Sequence, residues 1–381
     1  MTLQGELHEP AACFRKVLPS TDEAHALVLC SDRDIRILNL PTTSQQRTVL
    51  LANNNNSTRV VLAEPPIDAA WCPFKKFEDA ASFITSARGT PIQMWDCADE
   101  LLRASYCAFN DVDEVCHAQS VAWTQQDIIG GYGGPEESTM IMFDALRPGR
   151  EYKAKYRSKV SRGRVSVVAP LAQKSLIVLG HLNGQVEVLD SRHVMPVARL
   201  SGHRTNVFQV GRSPLLDSRG MFFTSSRRSD AKILLWDLRN LTAPVVEIVR
   251  ELHTQQPVGS AAVDQGLRVN ILYATHAKVN ALLCSSIGNG SGEDAVGSRK
   301  CFDLAEVKDR PISCVCAITS SLVAVGCGTR KYHSGRSEEE VCGDVRWKRV
   351  VSLGPSVSEV EEDVASLRTG GSSSLLFYKL F

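Results

Sequence analysis

The chain lacks the features of a membrane, secreted or strongly charged protein. No window approaches the roughly eighteen consecutive apolar residues of a membrane-spanning helix. Residues 1–6 contain no basic segment followed by an apolar one, so a secretion signal is not expected. Lysines and arginines number 43 and aspartates and glutamates 42, which leaves a formal net charge of +1. Overall charge therefore points neither to a lipid surface nor to a nucleic acid.

Catalytic and cofactor motifs are also missing. There is no phosphate-binding Gly-x4-Gly-Lys-Ser/Thr loop, no His-Glu-x-x-His and no Gly-x-Ser-x-Gly. The twelve cysteines lack disulfide-framework spacing, and Cys116-His117 has no partner pair at zinc spacing. The run Gly130-Gly-Tyr-Gly-Gly134 precedes a strand rather than a helix, so a turn is expected there. We therefore expect no enzyme, no cofactor, no metal and no small-molecule substrate.

One complete repeat signature lies between residues 202 and 237. Gly202-His203 is followed after thirty-two residues by Trp236-Asp237, and Asp230 lies six residues before Trp236. A buried imidazole, hydroxyl and carboxylate are tolerated together because they satisfy one another's hydrogen bonds. This is the signature of a WD40 blade. It predicts a hydrogen-bonded tetrad of His203, Ser225, Asp230 and Trp236, with Ser226 as the alternative hydroxyl.

Weaker copies of the blade ending recur along the chain. Apolar strands that end in a pair like Trp-Asp finish at residues 38, 95, 143, 189 and 236, at intervals of 57, 48, 46 and 47 residues. A period in the forties is typical of propeller blades, and the strands alternate as half-buried strands do. The chain is therefore predicted to be an all-β, seven-bladed WD40 β-propeller that forms one domain over residues 11–381.

The last predicted blade contains an acidic insertion. Strands are expected at 312–316 and 322–326, and the next strand only at 375–381. Residues 334–372 between them are polar and include acidic groups at 338–340 and 359–363. We expect this insertion to be disordered and mobile, and the final strand to complete the closing sheet.

Residues 91–114 are more specific than any repeat signature. They run from Pro-Ile-Gln-Met-Trp-Asp through Leu-Arg-Ala-Ser-Tyr to Asn-Asp-Val-Asp-Glu, an order that resembles the telomerase Cajal body protein 1 family. Similar motifs follow in register at Arg147-Pro-Gly-Arg150, Gly202-His203 and residues 228–239. The resemblance covers about residues 11–381. The sixth blade has diverged, and the family's long terminal extensions have no counterpart in these residues.

The resemblance implies a non-enzymatic WD-repeat scaffold that binds RNA. Its clients would be H/ACA-type small Cajal-body RNA, telomerase RNA or both. Its protein partners would be the core H/ACA ribonucleoproteins and the telomerase ribonucleoprotein, with no membrane partner. The expected location is the nucleus, in a Cajal body or an equivalent, and a cytoplasmic pool stays open.

The distribution of basic residues independently favours a polyanionic ligand. The segment from residue 147 to 164 carries eight cations against the single acid Glu151, with Tyr152 and Tyr156 among them. Cations can hold phosphates while aromatic rings stack on unpaired bases. Further arginines occupy predicted turns. The candidate RNA-binding residues are Arg88, Arg147, Arg150, Lys153, Lys155, Tyr156, Arg157, Lys159, Arg162, Arg164, Arg204, Arg227 and Arg228.

The alternative is that these cations are only solvated surface charge. The propeller would then be a protein-only interaction scaffold or adaptor, whose loops bind peptides without contacting RNA. The two hypotheses differ in the salt dependence of RNA binding, because phosphate contacts release counterions.

Overall fold

The chain is built from β-sheets. A computed structural model describes residues 2–9, 13–21, 25–40, 58–73, 82–133, 138–159, 161, 163–171, 175–227, 230–250, 259–265, 268–274, 278–284, 299–303, 312–318, 322–327 and 373–379. Within these residues there are seven four-stranded antiparallel sheets, one two-stranded hairpin and one five-residue helix. That helix is far too short to cross a membrane, and the same described residues offer no other candidate.

Six sheets take their four strands in chain order, as successive hairpins do. The first contains β2 (Phe14–Pro19), β3 (His25–Cys30), β4 (Asp34–Asn39) and β5 (Thr58–Val61), and the second β6 (Pro66–Trp71), β7 (Ser82–Ala87), β8 (Ile92–Asp96) and β9 (Leu102–Tyr106). The hairpin β10 (Ala108–Phe109) and β11 (Val115–Cys116) follows. The third sheet contains β12 (Ser120–Trp123), β13 (Asp127–Gly133), β14 (Ser138–Asp144) and β15 (Ala154–Arg157).

The next three sheets repeat this pattern. The fourth contains β16 (Val165–Leu171), β17 (Leu176–His181), β18 (Val186–Asp190) and β19 (Met195–Leu200). The fifth contains β20 (Val207–Gly211), β21 (Met221–Ser226), β22 (Lys232–Asp237) and β23 (Val246–Val249), with helix α1 (Pro214–Ser218) between β20 and β21. The sixth contains β24 (Ser260–Gln265), β25 (Arg268–Ala274), β26 (Lys278–Cys284) and β27 (Arg299–Asp303).

The seventh sheet joins two distant parts of the chain. Its strand order is β1 (Thr2–Glu9), β30 (Ser373–Lys379), β29 (Leu322–Cys327) and β28 (Ile312–Ala317). The terminal strand β30 pairs with β29, as predicted, and its other edge pairs with β1. The predicted domain start at residue 11 leaves out β1, which is the outer strand of this sheet. The predicted insertion, 334–372, lies outside the described residues.

Apolar side chains between neighbouring sheets form the core. Between the fourth and fifth sheets, Val178 and Val188 pack with Phe222 and Trp236. The first and seventh sheets also share a core, in which Phe14 and Val28 are grouped with Cys314 and Ala324. Full burial of one such apolar side chain contributes about 1.5–3 kcal/mol. Four-stranded meanders packed in succession, with the last against the first, make a β-propeller, so the prediction of an all-β propeller is confirmed.

The innermost strands of five sheets carry a β-bulge at the same place. The register of β2 against β3 shifts between Phe14 and Lys16, and equivalent shifts occur in β6, β16, β20 and β28. The extra residue of a bulge bends its strand and redirects its side chain. Arg15 donates to the carbonyl of Pro66 in the next sheet, and Ser166 donates to that of Val207. These hydrogen bonds add to the apolar contacts between neighbouring sheets.

A polar relay links the innermost strands of the first four sheets. Asp68 is buried and accepts from Lys16 Nζ at 2.6 Å and from the Ser120 hydroxyl at 2.7 Å. The backbone N–H of Val168 donates to Ser120 Oγ at 3.1 Å. Both carboxylate oxygens of Asp68 are thereby satisfied, which makes its burial tolerable. The relay fixes the second, third and fourth sheets relative to one another.

Candidate nucleic-acid interface

The tetrad of the fifth sheet contains Thr224 and not the predicted Ser225. Trp236 Nε1 donates to Thr224 Oγ1 at 2.8 Å, and His203 Nε2 lies 2.7 Å from the same oxygen. On the other side of the ring, His203 Nδ1 lies 3.4 Å from Asp230 Oδ2. Phe222 pairs with Trp236 across the strands, so Thr224, two residues on, faces the same side and Ser225 the opposite side. Ser226, the alternative hydroxyl, donates to Asp230 Oδ2.

This tetrad positions two loops that carry candidate residues. Burial lowers the pKa of His203 to about 4, although the Asp230 carboxylate acts in the opposite direction, so the imidazole is neutral near pH 7. Asp230 Oδ2 also accepts the backbone N–H of Arg204 at 2.9 Å. The backbone N–H of Arg227 donates to the Asn206 carbonyl at 3.2 Å. Both arginines are exposed on adjacent loops. Arg228 lies outside the described residues.

The basic segment divides around strand β15. Its first three cations precede this strand, and each has a carboxylate partner. Arg147 Nε lies 3.9 Å from Asp144, Arg150 Nη1 lies 3.6 Å from Asp113, and Lys153 Nζ lies 2.8 Å from Asp127, all measured to a carboxylate oxygen. Their charge is therefore partly neutralised, and two of the three acids, Asp113 and Asp127, are distant in the sequence.

The later cations of the segment are in a different situation. Lys155 lies on β15, and Lys159 and Arg164 lie in the connection to β16. All three are exposed, and none forms an ion pair with another described residue. The same holds for Arg88 and Arg204. Arg157 is exposed on β15, whereas Arg162 lies outside the described residues.

The two tyrosines of the segment also differ. Tyr156 is half-buried, and its hydroxyl donates to Glu187 Oε1 at 3.1 Å. Burial and the Glu187 carboxylate raise the pKa of Tyr156 to about 12. Glu187 is itself fully buried, 3.1 Å from His181 Nε2. Tyr156 thus takes part in a buried network between the third and fourth sheets, while Tyr152, 54% exposed, presents its ring to solvent.

The two motifs that carry the family resemblance contact each other. The backbone N–H of Gly149 donates to the Ser105 carbonyl at 2.9 Å, and that of Cys107 donates to Gly149 at 2.8 Å. The Arg150 guanidinium lies 4.0 Å from the centroid of the Phe109 ring. Gly149 has a φ of 120°, a conformation that favours glycine. Residues 91–114 and 147–150 therefore form one local structure between the second and third sheets.

His117, which sequence reasoning did not identify as a candidate, is a neighbour of two candidate arginines. It precedes β12, while Arg88 follows β7 and Arg164 precedes β16. Burial lowers the pKa of His117, and the positive charges of Arg164 and Arg88 lower it further. From the sequence, His117 was considered only as a zinc ligand beside Cys116, and that role was rejected because no partner pair lies at zinc spacing. Among the described residues, no three His, Cys, Asp or Glu side chains are grouped as a metal site.

Comparison with known proteins agrees with the motifs. No family model matches the chain. It is 30% identical over 202 residues to the telomerase Cajal body protein 1 homolog of Drosophila melanogaster, which covers 50% of this chain and 35% of that protein. It is 28% identical over 246 residues to telomerase Cajal body protein 1 of Mus musculus and of Homo sapiens, which covers 62% of this chain and 45% and 43% of those proteins. The chain thus spans less than half the length of these curated relatives. The resemblance to the telomerase Cajal body protein 1 family is confirmed by these similarities.

Proposed function

We propose that the chain is a non-enzymatic RNA-binding scaffold. Its ligand is H/ACA-type small Cajal-body RNA, telomerase RNA or both, and it directs the ribonucleoprotein to a Cajal body or an equivalent nuclear body. Its protein partners are the core H/ACA and telomerase ribonucleoproteins. The names of the relatives support the telomerase and Cajal-body part of this proposal. Binding of RNA rests on the charges of the chain itself.

The observation that carries RNA binding is a set of exposed cations that form no ion pair with another described residue. Lys159, Arg164 and Arg204 lie in connections at the end of the sheets where the innermost strands begin, Arg88 lies in a turn at that end, and Lys155 lies on the outer strand β15. By contrast, the exposed Arg103, Arg192 and Arg239 each lie against an aspartate. Cations left without acids on a rigid scaffold are suited to backbone phosphates, and Tyr152 could stack on a base.

The ring itself forms part of the proposal. The seven described sheets would be the blades of a single seven-bladed domain that includes β1 together with residues 11–381. The shared core of the first and seventh sheets supports closure. Radial packing of sheets leaves only short, protected edges, and the ring would present the loop cations in a fixed arrangement.

A triple variant tests RNA binding. Lys155→Gln, Lys159→Gln and Arg204→Gln remove three unpaired cations from the surface. Each lost single-strand phosphate contact should lower the slope of log affinity against log salt by about 0.7, so we expect a fall of about 2, with an unchanged Tm. The measurement is fluorescence anisotropy with an H/ACA-type RNA over a range of salt concentrations.

The matched control is Arg103→Gln, Arg192→Gln and Arg239→Gln. It makes the same change in net charge with arginines that are already paired with aspartates. This control should leave the slope nearly unchanged. If the first triple variant binds the RNA with the wild-type affinity and slope, the unpaired cations are solvated charge and RNA binding through them is refuted.

A protein-only interaction propeller is the second candidate, and exposed apolar side chains favour it. Leu146, which immediately precedes residues 147–150, is 90% exposed, and Val112, within residues 91–114, is 72% exposed. Clustered exposed apolar residues commonly mark interaction surfaces. Under this hypothesis the purified chain binds no RNA at physiological salt, and RNA co-purifies only through a bound protein.

A further inference from the structure

We propose that Arg88, His117 and Arg164 together form a cradle for one phosphate group of single-stranded RNA. The identity of the ligand as RNA rests on the proposed function, whereas the binding of a tetrahedral oxyanion rests on the cradle alone. The cradle would be formed by three successive sheets, and His117 would be a ligand-binding residue in it.

Three consecutive sheets bring these side chains to the same end. Pro66 at the start of β6 pairs with Ala87 at the end of β7, so Arg88 lies where the innermost strand of the second sheet begins. His117 comes three residues before β12, the innermost strand of the third sheet, and Arg164 immediately precedes β16, that of the fourth. The innermost strands of these sheets are neighbours.

The charges of Arg88 and Arg164 act on the same histidine. Arg88 and Arg164 are exposed and form no ion pair with any residue in the described part of the chain. Both raise the free energy of a protonated His117, and this adds to the effect of its burial on the pKa. Asp111, Glu114 and Lys155 act on the neighbouring Cys116. A bound oxyanion would offset the repulsion among the three groups.

The supports of the cradle are already ordered. The relay from Asp68 through the Ser120 hydroxyl to the Val168 N–H joins the same three sheets within a few residues of His117 and Arg164. The backbone carbonyl of Arg164 accepts from the Leu182 N–H at 3.2 Å. Binding therefore requires little ordering of the backbone, and the conformational entropy that is lost belongs mainly to the two arginine side chains.

Proton uptake follows from this arrangement. His117 is neutral near pH 7 in the free protein, because its pKa lies below the ordinary value of about 6.5. The negative charge of a bound phosphodiester would raise that pKa, so binding takes up a proton in the range between the free and bound pKa values. The affinity for a ligand of constant charge should then increase as the pH falls through the bound-state pKa of His117.

The first experiment uses inorganic sulfate, an oxyanion whose charge is constant over this pH range, and follows the His117 ring by NMR. In the wild-type protein, sulfate should raise the pKa of His117. In the variant Arg88→Gln with Arg164→Gln, the pKa should be higher without sulfate and should no longer respond to it. If the pKa of His117 in the wild-type protein is the same with and without sulfate, the cradle is overturned.

The second experiment uses oligouridine, whose bases do not titrate between pH 5.5 and 7.5. The wild-type affinity should rise severalfold on lowering the pH, and His117→Gln should abolish that rise. The exposed His193→Gln is the control and should retain it. The double arginine variant should lower the salt slope by about 0.7, since the contact with one phosphate is lost.

The outcomes separate this inference from the proposed function. A sulfate response without RNA binding supports the cradle and refutes the proposed function. Wild-type RNA binding and salt slope in the double arginine variant refute the cradle, while a weakened triple variant would still support RNA binding. Tighter binding of a phosphoserine peptide whose other residues carry no net charge, compared with oligouridine, would overturn the assignment to RNA.

Discussion

The hydroxyl of Thr224 is where the buried hydrogen bonds of the fifth sheet meet, and Thr224→Val should destabilise the fold strongly. Valine has nearly the same shape, but it can neither accept from Trp236 Nε1 nor donate to His203 Nε2. Thr224 is fully buried, so water cannot replace the lost partner without a rearrangement. Each buried polar group left unsatisfied costs about 1–3 kcal/mol, so the two together should cost about 2–6 kcal/mol.

The assay is urea unfolding of three variants followed by tryptophan fluorescence. Thr224→Ser keeps the hydroxyl and should recover most of the loss. Ser225→Ala is the matched control on the adjacent residue. Its hydroxyl is equally buried and has no hydrogen-bond partner in the described residues, so the free energy of unfolding should change by less than about 1 kcal/mol. Equal effects of Thr224→Val and Ser225→Ala would refute the tetrad as described.

Two further predictions concern pH and the outer strand of the seventh sheet. The folded-state pKa of His203 is about 4 and the unfolded value is about 6.5. The contribution of the neutral His203 to the free energy of unfolding is therefore fully present above pH 6.5, and it falls by about 3 kcal/mol as the pH is lowered to 4. The stability difference between wild type and His203→Gln should therefore shrink over that range, and a constant difference would contradict the assigned pKa. Deletion of residues 1–10 removes β1 and exposes the edge of β30, and it should lower the free energy of unfolding by about 1–3 kcal/mol. Thermal unfolding measures this loss, and an unchanged Tm would show that β1 is dispensable.

The propeller and most of its fifth-sheet tetrad could be predicted because they leave local marks in the sequence. The Trp-Asp endings recur at a fixed period, and His203, Asp230 and Trp236 have fixed spacings. The hydroxyl was assigned one residue too late for a physical reason. All of β21, Met221–Ser226, is buried on both faces, so the alternation that reveals the phase of a strand is absent. The phase of β21 follows only from the pairing of Phe222 with Trp236 across the strands.

The basic segment shows the limit of charge counting. Eight cations against one acid read as one patch in the sequence. In the fold, Asp113, Asp127 and Asp144 neutralise three of those cations, and two of these acids come from other segments of the chain. His117 was missed because its neighbours also come from other segments of the chain: its two arginine neighbours are 29 and 47 residues away. Contacts between successive sheets have no local spacing that a sequence could display.

The pairing of β1 with β30 also has a consequence for synthesis on the ribosome. Thr2 pairs with Lys379, so β1 emerges about 370 residues before its partner. At ~5–20 residues per second, that interval is roughly 20–70 s. During this time β1 has no permanent strand to pair with, and its backbone N–H and C=O groups are available to other nascent chains. Codon changes that slow the synthesis of the residues between β1 and β30 should therefore lower the yield of folded protein.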